Sequence, residues 1–535
     1  MLRLIKPLLY MRTTGLFIGL MLFMAPLLAQ NTVKGTVFLD ANSNNKFDKK
    51  ESVIEGVAVS NGREVVLTGK DGKYALPVGT DDVIFVIKPS GYELPLNDKN
   101  LPQFYYIHKP NGSPKLKYPG VKPTGKLPKS VNFGLIKGDN PEQYDILVFG
   151  DPQPYSQKEV EYFDKDIVNE LAGAKGYRFG MSLGDIVGDD LSLYPYYNQS
   201  IARIGIPWFN VPGNHDMNYD VKDIELADET WEAVFGPATY SFNEGKVHYI
   251  VIDDILYPRP DGKGGYIGGF TEKQLVFLKN DLSFVPKDHL VIVSFHIPTF
   301  AGLTKGSAFR FDDQKALFDL LKPFDNTLTL SAHTHFQKIG FLDEDEGWSG
   351  ENLHLHFNVG ASCGDWWSGV PDEDGIPPTT MRDGTPNGYV ILHLDGNQYT
   401  YDYKIARGDE SDKMSFWGPK AVPQNSWHGA ELFVNYYLGS EKTKVEYKVD
   451  DQEWKEMGKS DLDDPGYAVY AYEWDEAEKV LDGRRPSNPV KSTHLWKTGV
   501  PNNLSVGGHA IEVKVTDMFG RVFSETFTYE VVEKE

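Results

Sequence analysis

Between Tyr144 and His335 the chain repeats one pattern six times, a short apolar run that ends in oxygen or imidazole side chains. "DILVFGDPQ" ends in Asp151 and Gln153, "FGMSLGD" in Asp185, and "IPWFNVPGNHD" in Asn214, His215 and Asp216. "YIVIDD" follows with Asp253 and Asp254, "LVIVSFH" with His296, and "LTLSAHTH" with His333 and His335. Apolar runs of this length, separated by amphipathic stretches such as Ser156–Gly173, predict an α/β layer. In such sheets functional groups collect beyond the carboxyl ends of the strands, so the six runs predict one rim that carries all these side chains. The turn at "VPGNHD" raises a chemical question. Gly213 and Asn214 suffice for a turn, so the imidazole and carboxylate beside them call for another reason.

Oxygen and imidazole donors without a thiolate suit Mn, Fe or Zn. Asp151, Asp185, Asn214, His296, His333 and His335, with Gln153 as a seventh, are too many for one open catalytic ion. They fit two divalent ions that share a carboxylate. Each histidine taken singly reads as a hydrogen-bonded core residue; the metal reading rests on the joint pattern.

The blocks "GDPQ", "LGDIVGDD", "GNHD", "SFH" and "AHTH" resemble, in order and spacing, those of the calcineurin-like metallophosphoesterase superfamily. The resemblance implies an α/β sandwich core that hydrolyses phosphoric mono- or diesters with two metal ions. It implies that Asp151 and His335, with Gln153, hold the first ion, that Asp185 bridges, and that Asn214, His296 and His333 hold the second. His215 then contacts the phosphoryl group or protonates the leaving oxygen, and Asp216 orients it. Two positions depart from the family pattern. Ala332 replaces a Gly, a small change. Gln153 replaces a His, and an amide oxygen is the weaker donor, which implies a looser first site or a harder ion such as Mn. The Asp-x-Gln variant also resembles a branch containing manganese-dependent nucleotide pyrophosphatases, so pyrophosphate-type substrates are an alternative. A non-catalytic, metal-bearing surface or carbohydrate-binding protein is the rival class, but a purely structural site has no use for His215.

At 535 residues the chain exceeds one core. Residues 31–137 and 408–535 are rich in short β-type runs broken by Gly, Asn and Asp, which predicts a β-sandwich on each side of an α/β segment at 138–407. In the first, Asp40, Asn42, Asn44, Asp48 and Glu51 stand at the spacing of an EF-hand-type calcium loop, against the alternative of a solvated turn. The stretch that follows, "GVAVSNG" to "TGKDGKYALPV", resembles calcium-binding B-type repeats of bacterial surface proteins. Residues 1–30 read as an export signal, basic at Arg3, Lys6 and Arg12, apolar from Gly15 to Ala29, and cleaved after Ala29. That predicts a secreted or periplasmic protein; a retained anchor is the alternative, although the apolar run is short for a span. No later segment is long and apolar enough to cross a membrane. The one cysteine, Cys363, leaves no internal disulfide.

A net charge of -22 and a pI of about 5.1 argue against nucleic acid as a partner. Two divalent ions offset by Asp151 and Asp185 would still leave a positive centre for a small or medium phosphorylated substrate. Trp366, Trp367 and Arg382, in Gly-rich loops after the last block, either wall the cleft or pack a sandwich edge. Asp189 is either a hydrogen-bond partner of a site histidine or a helix N-terminal acid. His354 and His356 share a strand face and read as structural or supporting.

Overall fold

The structure, a computed structural model, describes residues 31–300 and 308–534; the export-signal segment 1–30 lies outside the described residues. Its middle is a pair of mixed sheets. Strands β1 (Gln143–Phe149), β2 (Tyr177–Leu183) and β3 (Trp208–Val211) run parallel in the first. The second holds β4 (Tyr240–Glu244), β5 (Val247–Val251), β6 (Leu290–Ser294), β7 (Asn326–Ser331), β8 (Lys338–Leu342) and β9 (His354–Asn358). The chain then returns to the first sheet with β10 (Gly388–Asp395) and β11 (Gln398–Ile405), both antiparallel to their neighbours. The orders are β3-β2-β1-β10-β11 and β4-β5-β6-β7-β9-β8. Strands β5, β6, β7 and β9 are mutually parallel. β5 and β6 are buried from end to end, as central parallel strands covered on both faces must be.

Aromatic rings join the two sheets. Phe179 and Phe209 of the first sheet meet Phe242 and Tyr249 of the second, with Phe209 stacked on Phe242 at 4.1 Å and Phe179 edge-on to Tyr249 at 5.2 Å. Helix α1 (Gln157–Phe163) follows β1 and starts where Ser156 Oγ accepts the Glu159 N–H. It continues through a π-turn, Asp164–Val168, to Leu171, so the amphipathic stretch between β1 and β2 is helical throughout. Helix α2 (Glu272–Leu282) opens on a reciprocal cap between Thr271 and Gln274, and α3 (Phe311–Leu321) precedes β7.

The flanking segments are pairs of facing sheets. In the first, strands Lys73–Val78, Asn31–Leu39, Phe133–Lys137 and Tyr92–Glu93 form one sheet and Val65–Leu67, Ala58–Ser60, Asp82–Val86 and Tyr105–His108 the other. After β11 a four-stranded and a five-stranded sheet follow, with Gly507–Thr516 and Val522–Val532 as their longest hairpin. This last segment also carries a helix, Pro465–Asp475, capped by Asp464, which a strand-and-turn reading of 408–535 does not anticipate. The first segment is tied to the centre by buried ion pairs. Lys88 meets Glu244 at 2.8 Å, and Lys109 meets Glu229 and Glu232 at 2.6 and 3.0 Å. Among the described residues no helix is long and apolar enough to cross a membrane.

Candidate metal centre and active-site cleft

The parallel strands of the two central sheets end at the same rim, and the predicted side chains meet there. Asp151 follows β1, Asp185 follows β2, Asn214 and His215 follow β3, His296 follows β6, and His333 and His335 follow β7. The backbone at these ends is unusual. Asp151, Gln153, Asp185, His333 and His335 have φ of 31°, 38°, 49°, 73° and 55°, the left-handed region that L-residues rarely enter. The chain thus leaves β1, β2 and β7 through left-handed backbone at the residues that carry the polar side chains of the rim. Gly213 fits because a Cβ there would lie 2.1 Å from Asp185 N and 2.3 Å from its Oδ1. The Gly of "GNHD" lets the third strand-end turn press against the second.

The side chains converge closely. His296 Nε2 lies 3.1 Å from Asp185 Oδ2, 3.2 Å from Asn214 Oδ1, 3.2 Å from His333 Nδ1 and 3.9 Å from Asp151 Oδ1. His335 Nε2 is 3.7 Å from Asp151 Oδ1. Among the described residues, Asp185, His296 and His333 form the group of three whose ligand atoms all lie within 4.8 Å of one another. The donors fit divalent cations in two further respects. Among the described residues, Asp151 Oδ1 and Gln153 Oε1 are buried without a hydrogen-bond partner, and such orphaned acceptors are costly unless something positive satisfies them. His335 and His296 each place Nδ1 on a backbone carbonyl, Gly364 O at 2.7 Å and Leu183 O at 2.8 Å, which directs Nε2 inward in the manner of supported metal ligands.

Electrostatics agree. Burial, with the Asp185 charge adding to it, pushes Asp151 up to about 7. Against its own burial, the charges of His296 and His215 hold Asp185 well below the usual carboxylate range. Burial pushes His335 down to about 3, so it is a neutral imidazole with a lone pair to give. Gln153 donates its amide N–H to Asp185 Oδ2 at 3.2 Å.

His215 is beside this cluster rather than in it. Its Nε2 is 4.0 Å from Asp185 Oδ2, its side chain is 25% exposed, and Nδ1 is 2.8 Å from Asp189 Oδ1. Burial would lower the imidazole, but the charges of Asp185 and Asp189 outweigh it and hold it at about 9. The expectation that Asp216 orients His215 is corrected. Asp216 Oδ2 accepts the N–H groups of Ile186 and Gly213 at 3.1 and 2.9 Å, and Oδ1 accepts the Tyr194 hydroxyl at 3.0 Å. Its carboxylate holds the turn itself, and the partner of the imidazole is Asp189. Asp254, read only as part of a strand-end cluster, accepts the N–H groups of His296 and Ile297 at 3.0 and 2.8 Å and so fixes that loop.

The aromatic loop divides. Trp366 stacks on His335 at 4.0 Å, with the Arg382 and Arg484 guanidiniums 5.6 and 5.5 Å from its ring. Arg382 also donates to Thr334 O at 2.8 Å, between the last two histidines. Trp367 is corrected as a cleft residue: it is buried in the core against Tyr162, and both tryptophans stand in left-handed backbone, with φ of 52° and 55°. His354 and His356 are fully paired with hydroxyls of β7, His354 with Thr327 and Thr329 and His356 with Thr329 and Ser331. In the Asp40–Glu51 loop, Asp40 accepts the N–H groups of Asn44 and Asn45, and Asn42 and Asn44 both donate to Asp48 Oδ2. Glu51 accepts the N–H groups of Ala41 and Asp48.

The sequence reading missed Tyr155, whose ring lies 5.9 Å from that of His215, and Tyr219, whose hydroxyl donates to Asn214 O. It also missed Tyr118 and Tyr266 at the cleft. The position of Tyr155, two residues after Gln153, was the only signal available for any of them.

Three family models match the chain: calcineurin-like phosphoesterase over residues 144–337, its N-terminal companion over 41–118 and its C-terminal companion over 356–523. A curated relative, the probable glycerophosphodiester phosphodiesterase of Arcobacter nitrofigilis, is 22% identical over 144 residues, which are 26% of this chain and 50% of that protein. The chain thus spans half the length of that relative. Among solved structures, a dimetal phosphatase from Danio rerio aligns at 12% identity and TM-score 0.33, over 50% of this chain and 97% of that one. A purple acid phosphatase from yellow lupin seeds aligns at 13% identity and TM-score 0.36, over 71% and 67%. With all three of its segments matched by models of one family, the chain belongs to the calcineurin-like phosphoesterases.

Proposed function

We propose that the protein is a metal-dependent hydrolase of phosphoric esters. The observation that carries this is the convergence of seven donor side chains around the unpaired buried oxygens of Asp151 and Gln153, with a hydrogen-bonded imidazole at its edge. Asp151, Gln153 and His335 are assigned to one ion, Asn214, His296 and His333 to the other, and Asp185 to both. Bound there, two divalent cations supply charge for the phosphoryl oxygens and make a nucleophile of water at neutral pH. The chain's own part is to hold the donors rigidly, with Asp151 Oδ2 fixed by the His333 N–H at 2.8 Å and Oδ1 kept clear of competing hydrogen bonds from the described residues, and to deliver a proton. His215 is placed for that delivery: Asp189 takes Nδ1, which leaves Nε2–H to face a leaving oxygen.

The amide of Gln153 favours a hard ion, and we assign Mn ahead of Zn or Fe. The named relative supports diesters among the substrates. The Asp40–Glu51 loop keeps the oxygen spacing of a calcium loop, and we assign it a structural Ca²⁺ that titration calorimetry would detect. The segment 1–30 supports action outside the cytoplasm, which fractionation of the native host tests. Elemental analysis of the purified chain after loading with Mn, Fe or Zn should give close to two ions per chain, with turnover of p-nitrophenyl phosphate or its bis-ester. No bound ions, or full occupancy without turnover of either ester, would remove this reading.

A further inference from the structure

On the His215 side of the metal cluster the cleft opens into a cavity of about 410 Å³. Asn214, His215 and Asp189 line it together with Tyr118, Tyr219, Tyr266 and Lys117. The three tyrosines come from three distant segments, and each is anchored. Tyr219 donates its hydroxyl to Asn214 O, and its own carbonyl accepts the Tyr257 hydroxyl at 2.7 Å. The Tyr266 ring stands 6.2 Å from that of His333, edge to face. Lys117 and Tyr118 belong to neither central sheet; they lie between strand Tyr105–His108 and strand Phe133–Lys137 of the first β unit.

That loop is fastened to the central sheets over the cleft. Lys109 forms its ion pairs with Glu229 and Glu232, and Ser113 donates to Glu229. Thr230 donates to Tyr118 O at 3.2 Å, and the Lys117 N–H donates to Asp220 at 2.7 Å. Lys117 Nζ lies 4.6 Å from the centroid of the Tyr118 ring. The first β unit therefore presents one anchored aromatic ring, that of Tyr118, to the cavity, and the central segment presents Tyr219 and Tyr266. If His215 protonates the leaving oxygen, the remainder of the leaving group must occupy the space that its ring faces. Phenol rings on several sides of such a space favour a flat, polarisable occupant over a flexible alkyl chain.

We infer that Tyr118, Tyr219 and Tyr266 form a leaving-group subsite selective for alcohols that carry a planar aromatic ring, and that the N-terminal β unit is thereby a specificity element of the active site. This rests on the phosphoesterase reading above. The test compares 2-phenylethyl and n-butyl phosphates, as monoesters and as methyl diesters, because their alkoxides differ little in basicity and so need similar help in leaving. With the metal-loaded full chain, kcat/KM should favour the phenylethyl ester by about 3- to 10-fold, the range expected of aromatic contacts. The ratio should fall toward one in Tyr118→Leu and, independently, in Tyr266→Leu, each checked for retained metal and an unchanged melting profile. A ratio near one in the wild type, or one that both variants leave intact, would overturn the subsite while leaving the phosphoesterase reading standing. Failure of the metal-loaded wild type to turn over any of the four esters would instead overturn that reading, and the subsite with it.

Discussion

Among the described residues, His215 is hydrogen-bonded at one ring nitrogen only, and the residue that holds it is exposed. Its partner Asp189 lies 26 positions earlier in the chain, in the loop after β2, while the neighbouring Asp216 is spent on backbone N–H groups. The two acids should therefore fail differently. His215→Ala should keep both metals and lose about 10²- to 10⁴-fold in rate, more for an alkyl ester than for p-nitrophenyl phosphate, whose leaving group needs little protonation. Equal losses on both esters would make His215 a phosphoryl contact instead. Asp189→Ala should show the same leaving-group bias at lower amplitude, with stability little changed. Asp216→Asn should lower stability by about 1–3 kcal/mol, because an amide N–H₂ would face a donor in a buried turn. A melting curve and a metal titration of each variant separate the two roles.

At the scale of the element, the rim depends on strand ends that turn through left-handed backbone. Gly184 has φ +92°, and a Cβ there would lie 2.4 Å from His296 Nδ1. Gly184→Ala should therefore displace His296 from Leu183 O and weaken metal binding, with a backbone cost of about 1 kcal/mol in addition. Undiminished affinity in a Mn²⁺ titration would show that the turn has more room than its geometry implies. β7 and β9 are joined by a polar ladder, in which Thr329 Oγ1 lies 2.9 Å from His354 Nε2 and 2.6 Å from His356 Nδ1. Thr329→Val would leave two buried imidazoles short of a partner and should destabilise by about 1–3 kcal/mol in urea unfolding. Metal content should persist, since Thr329 touches none of the seven donors.

For the whole molecule, the decisive contacts are those between segments. Phe85 and Phe104 of the first β unit meet Phe277 and Tyr240 of the centre at 5.7 and 5.2 Å. On the other side, Asp383 accepts from His494 Nε2 of the last segment at 2.9 Å and from the Gln337 N–H at 2.9 Å, all buried. Burial would raise the Asp383 carboxyl, but the hydrogen bond and charge of His494 hold it below its ordinary 3.8. A depressed carboxylate stabilises the fold fully above that ordinary value, and the contribution fades as pH falls through the lower one. Asp383→Asn should cost about 3 kcal/mol at neutral pH, and its melting temperature should approach that of the wild type below about pH 4. Parallel melting curves across the acid range would show no part for the ion pair in acid unfolding.

The sequence by itself determined the layer type and the membership of the rim. Apolar runs ending in Asp, Asn or His become parallel strands, and parallel strands in one sheet end on one side, which groups Asp151, Asp185 and Asn214 at the end of one sheet and His296, His333 and His335 at the end of the other; the packing of the two sheets on each other joins the two groups. Only the tertiary structure decided which acid serves His215, because Asp189 reaches it across a loop that no periodicity describes. The same holds for the two tryptophans: Trp366 and Trp367 are adjacent and alike, both in left-handed backbone, yet one covers His335 and the other enters the core. It also holds for Lys117 and Tyr118, which reach the cleft because buried ion pairs dock the first β unit on the centre. Local pattern fixes what a segment becomes; loop conformation and long-range docking, which depend on partners far away in sequence, fix which side chains finally touch.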